Sequence, residues 1–247
     1  MSEEHSRVLI AVPTLNELGN IEELLRQILT VVPCGHVLVI DDNSDDGTID
    51  VVERFISSRP DHNVILQVRE RRLGVGSAHK FALSLAKDLQ FEVLVTLDAD
   101  FTHDPRYIPK FFAGLEQADV VVGSRFLTGG GLKEWNLTRK LLTKLGHLAT
   151  RSILGLPYDA SGGYRAYKVS AIDVHLLTDG LGDGYSWFYE SLGVLHARST
   201  IIVETPIVLP ARTYGSSKMR IRDLFHSVFR LFGFRSVMKA QLRRIRT

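Results

Sequence analysis

The sequence predicts an α/β fold with a mostly parallel central sheet and helices on both of its faces. Three observations carry this reading. Short apolar stretches alternate with longer stretches of helical period through the first half of the chain, an order that implies right-handed crossovers between parallel strands. The short stretches are nearly continuously apolar, as strands buried on both faces are. Most of them end in a cluster of polar residues, where open α/β sheets hold their ligands.

The elements follow in order. "VLIAVP" (8–13) reads as the first strand and runs into Thr14, Asn16 and Glu17. "NIEELLRQIL" is a helix with Asn20 as its cap, Glu23 three residues on, and Ile21, Leu24, Leu25 and Ile28 on one face. "HVLVID" is the second strand and opens into Asp41, Asp42, Asn43 and Ser44; "TIDVVERFISS" is the second helix, with Ile49, Val52, Phe55 and Ile56 to one side. "NVILQV", "SAHKFALSLAKDL" and "EVLVTLD" give a third strand, third helix and fourth strand, and "ADVVVGSR" a fifth strand ending in Ser124 and Arg125. Beyond it come the Gly-rich loop "FLTGGGLKEWN" and the helix "LTRKLLTKLGHLATRSILG". "DASGGYRAYKVSAI" and "STIIVETPIVLP" read as further strands on either side of a helix near "YSWFYESLGVLHA". With no repeat and no low-complexity linker, the chain divides into a domain over 1–218 and a C-terminal extension over 219–247.

Composition narrows the class. The 247 residues, 45% hydrophobic and 23% charged, suffice for one large globular α/β domain. The single cysteine, Cys34, excludes an internal disulfide and a cysteine-based metal cluster. No apolar run is long enough for a membrane-spanning helix, and "MSEEHSR" lacks the apolar core of a signal peptide, so a cytoplasmic location is expected. From Lys218 onward nine Lys or Arg stand against Asp223 alone, a tail charge of +8; the whole-chain +2 leaves −6 for the body. In "MRIRDLFHSVFRLFGF" apolar residues recur at helical period, with Arg222, His226 and Arg230 largely opposite them. The tail is expected either to dock on the body or to lie on an anionic membrane surface. Nucleic acid is not an expected partner, because the acids at the strand ends repel its phosphates.

The chemistry sits at those strand ends. In "VTLDADFTHDP", Asp98 and Asp100 flank one small residue after a buried strand. Two hard carboxylates so placed suit Mg²⁺ or Mn²⁺, which leave coordination positions for phosphate oxygens, and such an ion neutralises the charge of a departing diphosphate. Asp42 and Glu17 are candidates to accept hydrogen bonds from a base and a ribose, and Arg125 to hold phosphates. A strand-end run such as "DDNSDDGT" also serves simply to cap the next helix. A dinucleotide site needs a Gly-rich turn directly after the first strand, and "PTLNELGN" lacks its spacing; "GVGSAH" follows the third strand and carries only part of the pattern. It reads as a turn or as a close backbone approach to a nucleotide. His79, His103 and His147 are expected to be structural.

The ordered series "VPTLNE", "IDDNSDDGT", "RLGVGSAH", "LDADFTHDP", "GSRF", "GGYRAYK", "GYSWFYE" and "YGSSK" resembles the polyprenol-phosphate (dolichol-phosphate) mannosyltransferases of the inverting glycosyltransferase family 2. The likeness runs from about Val8 to about Lys218. It implies a GT-A, Rossmann-like fold and the transfer of mannose from GDP-mannose to a polyprenyl phosphate at the cytoplasmic face of a membrane. It implies that Pro13, Leu15, Glu17, Ile40 and Asp42 line the nucleotide. Asp98, Ala99 and Asp100 then fall at the metal and diphosphate, and Arg125 near the sugar and phosphates. Arg139, with Thr143 a turn on, falls at the acceptor phosphate, and Arg212 and Lys218 flank a loop over the donor. Asp100, Arg125 and Arg139 are the residues on which the chemistry is expected to rest. Leu15 stands where many relatives have Tyr, and "SGGYR" and "SWFYE" depart from the usual segments near the sugar. A lipid phosphate is already anionic at neutral pH, so its attack needs no general base. Rival readings are UDP-glucose or a related donor on the same lipid, nucleotidyl transfer, and a non-enzymatic membrane-surface adaptor. The last needs no paired acids, and nucleotidyl transfer needs a basic Gly-rich loop that "PTLNELGN" lacks.

Overall fold

A computed structural model describes residues 7–61, 63–210 and 229–236. Its centre is a seven-stranded sheet. Strands β1 (Val8–Thr14), β2 (His36–Asp41), β3 (Val64–Val68), β4 (Val93–Thr96) and β5 (Val120–Ser124) are joined later in the chain by β7 (Arg165–Lys168) and β8 (Ile202–Pro206). They lie in the order β3-β2-β1-β4-β7-β5-β8. All neighbours are parallel except β7, which runs antiparallel to both β4 and β5. Two short strands, β6 (Gly131–Leu132) and β9 (Val208–Leu209), pair separately.

Side-chain alternation along the strands builds the core on both faces. Leu9, Ala11, Leu38 and Ile40 point to one side, where they meet α3 (Val75–Asp88) and α7 (Ser186–Ala197). Val8, Ile10, Val12, Val37 and Val39 point to the other, against α1 (Ile21–Val31), α2 (Thr48–Ser58) and α4 (Ile108–Leu115). Two further helices, α5 (Leu137–Leu154) and α6 (Val174–Thr178), follow β6 and β7.

The sequence reading assigns no helix between the fourth and fifth strands, and α4 fills that place; Ile108, Phe111 and Leu115 are its buried face. Asn20 also departs from expectation. Its side chain does not cap α1; its Nδ2 donates instead to Glu17 Oε2 at 2.7 Å, and the Glu17 carbonyl receives the first helical amides. Glu23 accepts from Gln27 rather than reaching back to the cap. The capping pattern thus serves to hold Glu17, a residue of the site. The partly Gly-rich "GVGSAH" opens α3. Gly74 has φ 96, and a Cβ there would lie 2.5 Å from the Asp183 carbonyl, so only glycine allows this contact.

Candidate active site

β1 connects onward to β2 on one side while β4 lies on its other side, which makes the carboxyl ends of β1 and β4 the switch point of the sheet. A cavity of about 720 Å³ opens there. Pro13, Leu15, Glu17, Asp42, Asp98, Ala99, Asp100, Arg125 and Arg139 all line it. Residues from four strand ends and from the start of α5 are therefore brought together as the strand-end argument expects.

Each turn is fixed by its own hydrogen bonds. After β2 the two adjacent acids divide their work. Asp41 is buried and accepts from Thr14 Oγ1, Ser44 N and Ser44 Oγ at 2.7–2.8 Å, which ties the first two strand-end loops together. Asp42 faces the cavity, paired with buried Arg69 and accepting the amides of Leu73 and Gly74 at 3.3 and 3.2 Å. Farther along, Asp46 takes the N–H and hydroxyl of Thr48 at the start of α2. Within "DDNSDDGT", Asp46 thus takes the capping role and Asp42 lines the cavity. These hydrogen bonds outweigh the cost of burial and hold the Asp46 carboxyl below its usual range.

After β4, the Asp98 N–H donates to His103 Nδ1 at 2.9 Å. The same nitrogen lies 3.7 Å from Asp98 Oδ2, too far for a hydrogen bond. Asp100, 3% exposed, accepts the N–H and hydroxyl of Thr102 on Oδ1 at 3.1 and 2.6 Å. Phe101, between them, adopts φ 60, a conformation costly for a bulky residue and typical of sites where backbone strain serves function.

Arg125 forks onto buried Asp159 through Nε and Nη2 at 2.7 and 2.6 Å and also reaches Ser161 Oγ. Burial opposes its charge, but Asp159, and Asp98 behind it, hold it protonated; Arg125 in turn keeps Asp159 ionised against its own burial. Arg139 stacks over the Trp135 ring at 4.5 Å, and its N–H is capped by Asn136 Oδ1 at 2.8 Å. Thr143 lies one turn farther along α5 and is not part of the lining. Ile40 packs in the core beneath the cavity without lining it, and its carbonyl receives Thr14 Oγ1. Arg212 and Lys218 lie outside the described residues, as does most of the extension over 219–247.

Among the described residues no group of three His, Cys, Asp or Glu side chains stands ready to hold a metal. The donor set fits an ion bound together with a diphosphate: Asp98 and Asp100, both lining the cavity, would supply two hard oxygens and leave the remaining positions to phosphate and water oxygens.

A model of glycosyl transferase family 2 matches residues 9–176. The chain belongs to glycosyl transferase family 2. It is 34% identical over 217 residues to an undecaprenyl-phosphate mannosyltransferase of Micrococcus luteus, covering 86% of this chain and 87% of that one. It is 28% identical to a polyprenol monophosphomannose synthase of Mycolicibacterium smegmatis, over 91% and 85% of the two chains. Among solved structures it resembles glucosyl-3-phosphoglycerate synthase of Mycobacterium tuberculosis in complex with Mg²⁺ and uridine diphosphate. That likeness has a TM-score of 0.63 and 19% identity over 92% of this chain and 79% of the other, a likeness of fold. The protein is thus a glycosyltransferase with the GT-A architecture.

The cavity also contains residues to which the sequence reading gave no role there: Arg69, Arg72, Trp135, Asp183 and Arg230. Arg69 and Arg72 were open to discovery, since "RERRLG" follows the third strand as the other site residues follow theirs. Arg230, read from the sequence only as part of the polar face of the tail, arrives from far along the chain to pair with Glu190. Of the three histidines expected to be structural, His79 is buried in the core and His147 is half-buried, but His103 lines the cavity. His79 packs between Trp187 and Phe188, His103 receives the Asp98 amide, and His147 stacks on Phe126 at 3.9 Å.

Proposed function

We propose that this glycosyltransferase moves a mannosyl group from GDP-mannose to a polyprenyl phosphate, with inversion at the anomeric carbon, at a membrane surface. The observation that carries the reading is the composition of the cavity's lining. The Asp98-Ala99-Asp100 turn and the cations Arg125 and Arg139 share it, in a chain whose relatives are named for mannose transfer to such lipids.

In this reading the acceptor phosphate oxygen attacks the anomeric carbon as the bond from that carbon to the diphosphate breaks. The acceptor is an anion, so no proton has to be removed first. Asp98 and Asp100 would hold Mg²⁺ or Mn²⁺, which neutralises charge on the departing diphosphate. Glu17 and Asp42, fixed by Asn20 and Arg69, face the nucleoside. Arg139, spread against Trp135, sits where α5 enters the cavity and meets the acceptor phosphate.

α5 supports the membrane part. Leu137, Leu141, Leu142, Leu145 and Leu148 are between 51% and 83% exposed, while only Thr150 and Leu154 of this helix are buried. Leu137, Leu141, Leu145 and Leu148 recur at helical spacing and form one stripe, with Lys140, Lys144 and Arg151 beside it. An exposed leucine stripe flanked by cations suits a helix lying in a headgroup layer. Among the described residues no helix is long and apolar enough to cross a membrane.

Titration calorimetry tests the donor assignment. GDP should bind with Mg²⁺ or Mn²⁺ present and much more weakly in chelator, and UDP should bind more weakly than GDP. Tighter binding of UDP would transfer the reading to a UDP-hexose donor.

A further inference from the structure

Gly182 to Ser186, the end of the segment 180–186 that leads into α7, line the cavity. This segment is held from two sides. Towards α3, the Ser77 N–H donates to the Asp183 carbonyl at 3.0 Å and the Lys80 ammonium reaches the Asp183 carboxylate at 2.9 Å. On the opposite side stands Glu190 of α7, a carboxylate with no exposed surface. Its Oε2 accepts the Gly182 N–H at 2.6 Å. Its cationic partner among the described residues is Arg230, with Nε 2.7 Å from Oε1 and Nη2 3.2 Å from Oε2.

Arg230 belongs to the helical segment 229–236, which is seated on the body by buried Leu231 and Phe234. Arg230 itself reaches the cavity. The three parts meet closely: a Cβ on Gly182 would collide with Ser186 Oγ and lie 3.2 Å from Arg230 Nε and 3.3 Å from Glu190 Oε2.

A buried carboxylate persists only when it is paired and hydrogen-bonded. Without Arg230, Glu190 is left a buried charge with no cationic partner among the described residues, which disturbs its bond to Gly182 and with it the segment that lines the cavity. We propose that Arg230 is a positioning residue: acting through Glu190, it fixes the 180–186 loop, so that seating of the C-terminal helical segment sets the affinity of the cavity for its donor. The identity of that donor rests on the function proposed above; the link from Arg230 to the loop does not.

The experiment compares the full chain with R230Q, E190Q and the double variant by amide exchange over 180–186 and by steady-state transfer from GDP-mannose. R230Q should speed exchange in the loop and raise the KM for GDP-mannose about tenfold, with kcat changed less than about threefold. The double variant leaves no buried unpaired charge, and the side-chain amide carbonyl that E190Q introduces still receives the Gly182 N–H. It should therefore recover most of both properties, a non-additivity that marks action through Glu190. A double variant as impaired as R230Q would mean that Arg230 touches the substrate directly and would overturn the proposal. A lowered melting temperature with unchanged KM and unchanged loop exchange would overturn it too. If the wild type turns over no GDP-mannose, the donor assignment fails by itself, and GDP and UDP affinities of the same variants replace KM. A wild type that binds neither nucleotide contradicts both readings.

Discussion

Asp100 and His79 are both buried, and each shows what a single polar side chain does beneath the cavity. Asp100 satisfies two donors of Thr102 while lining the cavity, where the proposed function places the diphosphate. Alanine there would leave both donors unpaired and cost stability as well as activity. Asp100→Asn keeps an acceptor of the same shape and removes only the charge. It should lower transfer by about a hundredfold or more, the scale seen when one charge-stabilising group is lost, with little change in melting temperature. Turnover near that of the wild type would show that the Asp100 charge does not serve the leaving group. His79 presents the reverse case. Both of its ring nitrogens are buried without a hydrogen-bond partner. Burial, helped by the nearby charge of Arg165, pushes its pKa down to about 3. The unfolded chain therefore binds a proton below about pH 6.5 that the folded chain refuses. This contribution is intact above pH 6.5 and is lost as the pH falls towards 3, at up to about 1.4 kcal/mol per pH unit. Urea midpoints at pH 5 and 7.5 should show that dependence in the wild type and a weaker one in His79→Phe, which keeps a flat ring against Trp187. Equal dependence in both would place the titrating group elsewhere.

α5 is the element whose two roles separate most cleanly. Arg139 faces the cavity near its start, while the leucine stripe faces away from the body. Arg139→Ala should raise the KM for lipid phosphate more than that for the nucleotide sugar. Leu141→Ser with Leu145→Ser should weaken binding to anionic liposomes and slow transfer to long, bilayer-embedded acceptors, while a short water-soluble acceptor is used as before. Liposome binding unchanged by the leucine pair would assign the membrane contact to another surface. The stripe was present in the sequence as a helical period, but periodicity says only that a helix has an apolar face. Whether that face meets the core or an outside surface depends on how far the helix stands off the sheet. The C-terminal helix shows the same limit. Its apolar positions fit both docking and a membrane, and in the segment 229–236 Leu231 and Phe234 pack inward while Phe229 and Phe232 remain exposed.

Across the whole molecule, the part that sequence made legible is the part governed by local pattern. Apolar runs identified β1 to β5, and the polar clusters at their ends identified most of the cavity, because parallel strands deliver their carboxyl ends to one edge. Asp98, Asp100, Asp42 and Glu17 were legible for that reason. The strand in "DASGGYRAYKVSAI" was legible as β7, but its antiparallel place between β4 and β5 was not, since strand direction is set by pairing rather than composition. Arg230 was not legible either, because a buried partner such as Glu190 becomes visible only when distant segments are packed together. The proposed function requires that this cavity join a nucleotide-linked mannose to a lipid phosphate. The decisive assay incubates the purified chain with radiolabelled GDP-mannose, Mn²⁺ and a short polyprenyl phosphate, and follows label into an organic-extractable product. A mannosyl phosphopolyprenol should form with Mn²⁺, and should be absent in chelator and absent when the acceptor is the free polyprenol. Label transferred equally well to the free alcohol, or product formed undiminished in chelator, would contradict that function.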